Sequence, residues 1–60
     1  MKTIIIQKAP KGKDAQYVAL TESGQLISGF QKLSDIRKEY RVEIELGLVQ
    51  LRRELDKVYQ

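Results

Sequence analysis

The sequence predicts an α+β fold: a three-stranded antiparallel β-meander followed by one long C-terminal α-helix. Three observations predict it. Residues 3–8 and 15–22 are rich in β-branched and aromatic side chains, as strands are. Glycine-bearing turns separate these two runs from each other and from a third, at 25–30. Beyond these, Leu33, Ile36, Tyr40, Ile44, Leu48, Leu51, Leu55 and Val58 recur every third or fourth residue, which lays one apolar stripe along a helix.

Taken in order, the first strand ends at Lys8 and enters the loop 9–14. There Pro10 fixes φ for a turn, Gly12 supplies a permissive backbone, and Lys8, Lys11 and Lys13 make the tip basic. Glu22-Ser23-Gly24 suits a type I turn followed by a left-handed glycine, which joins the second strand to the third. The helix is expected over 34–59, with Ser34 as its N-cap, Asp35 at its positive end and Lys57 near its negative end. Arg41 with Glu45, and Arg52 with Asp56, stand one turn apart on its exposed side. An alternative stays open. Tyr40, Val42, Ile44, Leu46 and Leu48 alternate with Arg41, Glu43, Glu45 and Gly47, which is also strand period, so a fourth strand at about 40–46 would leave a shorter C-terminal helix from Leu48.

Sixty residues make one small domain, 1–60, with a thin core. Domains of this size usually gain stability from disulfides, a structural metal or oligomerisation; with no cysteine and no histidine, oligomerisation is the route left. The absence of cysteine fits a reducing compartment, so a cytoplasmic location is expected. The apolar run Ile4-Ile5-Ile6 stops at Gln7 and is too short for a signal peptide or a membrane span, so no membrane partner is expected. The formal net charge is +3, and all of that surplus lies in residues 1–14, because 34–60 carry six charges of each sign.

Catalysis has no foothold. There is no histidine base and no cysteine nucleophile, and Ser23, Ser28 and Ser34 have no activating neighbour in sequence. On a helix Glu43 and Glu45 point apart, while Glu39 and Glu43 share a face with arginines beside them. No glycine-rich phosphate loop is present, and neither a cofactor nor a metal is expected.

Binding surfaces are better candidates. Strand alternation predicts Ile4, Ile6, Val18, Leu20, Leu26 and Phe30 beneath the helix. It leaves an opposite face without charge, on which Ile5, Tyr17 and Ile27 form a candidate protein interface. On the helix, Val42, Leu46 and Val49 make a second apolar stripe. A helix of 26 residues, ~40 Å long, would overhang strands of ~20 Å, so a homodimer paired through the C-terminal helix is expected. The order of three strands and a helix resembles, in topology alone, the small arm-type DNA-binding domains of phage and transposon integrases. That resemblance implies a nucleic-acid partner met by the sheet. Two functions follow as expectations: a non-catalytic homodimeric nucleic-acid-binding accessory or regulatory protein that uses Lys8, Lys11 and Lys13, or a protein-binding adaptor or inhibitor that uses the uncharged face with Tyr17 as its anchor.

Overall fold

The computed structural model describes residues 1–60. Its elements are β1 (Lys2–Lys8), β2 (Tyr17–Leu20), β3 (Leu26–Phe30), α1 (Leu33–Glu39), α2 (Arg41–Glu45) and β4 (Val49–Val58). The strands form one mixed sheet in the order β3-β2-β1-β4. The first three are antiparallel neighbours, and β4 lies parallel to β1 on its other side. This corrects the expected architecture of a three-stranded meander with one long C-terminal helix. It also corrects the alternative, because the fourth strand lies at Val49–Val58, and the alternating segment before it is helical.

The helix stops early because of Gly47. Its φ of 73° is left-handed, where a side chain is strained and glycine is not. Around it the Leu48 N–H donates to the Glu43 carbonyl (2.8 Å) and the Gly47 N–H to the Ile44 carbonyl (3.1 Å). These are the two bonds of a Schellman motif, which ends a helix by satisfying its last carbonyls. Tyr40, at φ −105° and ψ 16°, bends the chain between α1 and α2 and packs its ring against Ile4, Ala19 and Val49. The start is corrected too: α1 begins at Leu33, with Lys32 rather than Ser34 at the cap position and no side-chain capping bond. With the long helix gone, the overhang that called for pairing two copies through it disappears. The topological likeness to the integrase arm domains lapses as well, because the helices here are a crossover between parallel strands.

Burial on both faces of β1 holds the sheet together. Ile4 and Ile6 face the helices, where Ile36 is fully buried, and Ile5 turns the other way to pack with Val18, Leu20, Ala9 and Tyr59. The strand register sets these faces. Ile5 pairs with Leu20 and Ile6 with Ala19, so Val18 and Leu20 lie opposite the helices rather than beneath them. Nine of the sixty residues are buried, so single core side chains weigh heavily. Beside β1, Gln50 donates to the Thr3 hydroxyl (2.9 Å) and Gln7 to the Glu54 carboxylate (3.2 Å), which ties β4 to its neighbour on the face away from the helices.

Candidate functional site

Because β1, β3 and β4 run in one direction, all three finish at the same end of the sheet. The register there forms a single row: Phe30 pairs with Tyr17, Tyr17 with Lys8, and Lys8 with Val58. Three segments project from this row, namely the loop 9–16, the Gln31-Lys32 step into α1, and the C-terminal residues 59–60. Lys8, Lys11, Lys13, Lys32 and Lys57 therefore gather at one end, all exposed, against Asp14, Asp35, Glu54 and Asp56. Tyr17, Phe30 and Tyr59, three of the four aromatic residues, stand half-buried among them.

Backbone bonds fix this end. The Ala9 N–H donates to the Gln16 carbonyl and the Gln16 N–H to the Phe30 carbonyl, each at 3.0 Å, and the Tyr59 N–H donates to the Lys8 carbonyl at 2.9 Å. The Gln31 amide donates to the Asp14 carbonyl, which straps the basic loop to the segment after β3. Between loop, β3 and C terminus lies a cleft of about 390 Å³. Val18, Leu26, Phe30 and Tyr59 line it, with Lys13, Asp14 and Gln31 at its rim. An apolar cleft with a few polar groups at its mouth is the usual form of a site for a flat, partly polar ligand.

Glu54 braces the same end. The Gln7 amide hydrogen bond, followed by Lys57 and Arg52, holds its carboxyl below the ordinary glutamate range. Its oxygens lie 3.3 Å from the Arg52 guanidinium and 3.6 Å from the Lys57 ammonium. The expected Arg41–Glu45 pair is present at 3.3 Å, whereas Arg52 pairs with Glu54 rather than Asp56. Burial, with Glu39 and Glu43 nearby, pushes the Tyr40 phenol above its ordinary value.

The residues proposed for a protein interface are not brought together. Ile5 is buried, and Tyr17 shares the helix-facing side with Lys8, opposite to Ile5. Ile27 is exposed at a register shift in the edge strand β3. The face away from the helices is not charge-free either, because β4 brings Arg52 beside Ile5 and Glu54 beside Gln7. Of the second stripe, Val42 and Leu46 are exposed and Val49 is buried. Sequence reasoning missed Lys32, Lys57, Phe30 and Tyr59 as neighbours of the hairpin lysines. Only the parallel placement of β4 brings the last residues of the chain to Lys8.

No group of histidine, cysteine or carboxylate side chains is arranged to hold a metal, and no helix is long and apolar enough to cross a membrane. The chain matches no known family, no curated protein and no solved structure.

Proposed function

We propose that this chain is a non-catalytic nucleic-acid-binding module, an accessory or regulatory protein that engages a phosphate backbone with its basic end. One observation carries the reading: five lysines and three half-buried aromatic rings share one end of the sheet. Lysines there neutralise phosphates and release counterions. Tyr59, on the side of the cleft, offers a stacking partner to an unpaired base, which favours a single strand over a duplex, while Tyr17 and Phe30 stand on the helix-facing side. The cleft between Tyr59, Phe30 and Lys13 is the place for such a base. Lys8, Lys11 and Lys13 hold the outer phosphates, and Lys32 extends the basic surface, while Lys57 is paired with Glu54. Fluorescence anisotropy with a mixed-sequence single-stranded oligonucleotide tests the reading. Tyr59→Ala is expected to weaken binding by ~1–3 kcal/mol because a stacking platform is gone, and unchanged affinity would show that no base enters the cleft.

A protein-binding adaptor is the second reading, and one observation favours it. Met1, Val42, Leu46 and Leu48 are 77%, 61%, 67% and 58% exposed, at the end of the molecule away from the lysines. A partner held there is released by the double variant Val42→Asp, Leu46→Asp and is indifferent to Tyr59→Ala, so these two variants separate the two functions.

A further inference from the structure

The four arginines divide into two pairs. Arg41 and Arg52 each face a carboxylate at 3.3 Å. Arg37 and Arg53 take part in no salt bridge or side-chain hydrogen bond, and both line one recess of about 290 Å³ between α1 and β4. The rest of the lining is Ser34, Ile6, Leu33 and Leu51, so no carboxylate answers the two guanidiniums. Ser34, displaced from the capping role expected of it, makes no side-chain hydrogen bond either. Three residues with donor groups that lack an internal partner thus line one small hollow together with Ile6, Leu33 and Leu51. Two like charges beside one hollow repel each other, and a doubly charged oxyanion relieves that repulsion and accepts from both forks at once.

We propose that this recess is a phosphate-binding site, selective for inorganic phosphate or a terminal phosphate monoester, with Arg37 and Arg53 as the charged ligands and the Ser34 hydroxyl as a third donor. Two positive groups match the near-dianionic charge of a monoester at neutral pH better than the single charge of a backbone diester. The apolar lining of Ile6, Leu33 and Leu51 leaves the oxyanion facing donors only. The site opens on the helix-facing side of the sheet, whereas the apolar cleft lies beside Val18 and Tyr59 on the other, so it stands apart from the single-strand reading. A phosphate there has two sources, a free phosphate or nucleotide and the phosphorylated end of a nucleic acid.

The test is an NMR titration of the full chain at constant ionic strength with inorganic phosphate, a nucleoside 5′-monophosphate, the parent nucleoside, and a short oligonucleotide with and without a 5′-phosphate. Saturable shifts are expected at the Arg37 and Arg53 side-chain N–H groups and at Ser34 with each monoester and with phosphate, and none with the nucleoside. The 5′-phosphate on the oligonucleotide should add those same shifts if nucleic-acid ends are a source, and only free phosphate and the nucleotide produce them if they are not. Arg37→Gln and Arg53→Gln are each expected to weaken phosphate binding about tenfold or more, as removal of a charge-assisted bond does. Arg41→Gln and Arg52→Gln, equal in charge change, are expected to leave it within twofold. Both lining arginines are exposed, so the variants keep their fold, and circular dichroism verifies this. Shifts that never saturate, or equal weakening by all four variants, would overturn the site and reveal only diffuse attraction to a basic protein. The Lys8, Lys11, Lys13→Gln variant should bind inorganic phosphate as wild type does, which keeps failure here distinct from failure of the single-strand reading.

Discussion

The two ends of the sheet differ in charge, in what they expose and in how they are built. One collects Lys8, Lys11, Lys13, Lys32 and Lys57 with Tyr17, Phe30 and Tyr59, braced by backbone bonds and by Glu54. The other carries Glu22, Glu43 and Glu45 against Lys2 and Arg41, with the exposed apolar side chains of Met1, Val42, Leu46 and Leu48. The lysines of the first end are interleaved with Asp14, Asp35, Asp56 and Glu54, so it carries only a modest positive surplus, in keeping with the formal net charge of +3. Topology makes the separation: parallel strands deliver their ends to one side, and the crossover helices return the acidic segment to the other.

Both ends depend on the same small core, so the largest expected effect removes the contrast altogether. Ile36 is fully buried beneath the crossover, and Ile36→Ala is expected to cost about 2–5 kcal/mol. Chemical denaturation measures this, and a cost below ~1 kcal/mol would mean that the helices are not packed on the sheet as described. Gly47→Ala comes next, at ~1–2 kcal/mol, because the left-handed backbone strains any side chain although the space around it is open. The same assay separates strain from poorer packing, since Gly47→Asn, a residue that tolerates this conformation, should cost clearly less.

Acid distinguishes the ends more finely. Because the Glu54 carboxyl is held below its ordinary range in the folded chain, it contributes stability at pH above the ordinary glutamate value. That contribution fades as pH falls from there through the lowered folded value. The protection factor of the Tyr59 amide, which is bonded to Lys8, should therefore fall on acidification sooner than that of the Lys2 amide, bonded to Leu48 at the far end, once the intrinsic pH dependence of exchange is divided out. Glu54→Gln should remove the difference. The smallest effect is expected from Val42→Ser with Leu46→Ser: both side chains are already exposed, so melting should move by no more than the equivalent of ~0.5 kcal/mol. A larger drop would show that this end is covered in solution.

How much of this was legible in the sequence follows from where local rules apply. The turn at Thr21–Gly24 forms as its residues indicate: the Gly24 N–H bonds the Thr21 carbonyl at 2.9 Å, and Gly24 sits at φ 91°. The second half misleads for two reasons. Gly47 reads as a tolerated interior glycine until its φ is known, so the stripe of Leu48, Leu51, Leu55 and Val58 looks like the same helix continued. In the strand, Ile6 pairs with Arg53 and Lys8 with Val58, so two steps along β1 face five along β4. That bulge breaks the period of two beyond Arg53, and with Leu48 lying just before the strand the apolar spacings read three, four and three, the signature of a helix. The strand faces were missed for a related reason, since a one-residue change of register moves every side chain of β2 to the other face. The hairpin lysines were visible as a charge cluster, but their partners Lys32, Lys57 and Tyr59 lie far along the chain and meet them only through parallel pairing.

Whether the basic end grips phosphates is read from the salt dependence of single-strand binding. Affinity is measured by anisotropy across a salt series for wild type, for the Lys8, Lys11, Lys13→Gln variant and for Lys2→Gln at the far end. Each lysine that neutralises a phosphate adds ~0.7 to the slope of log affinity against log salt, so the triple variant should fall by ~2 while Lys2→Gln keeps the wild-type slope. Equal slopes for wild type and the triple variant, or no salt-dependent binding by wild type, would contradict the account.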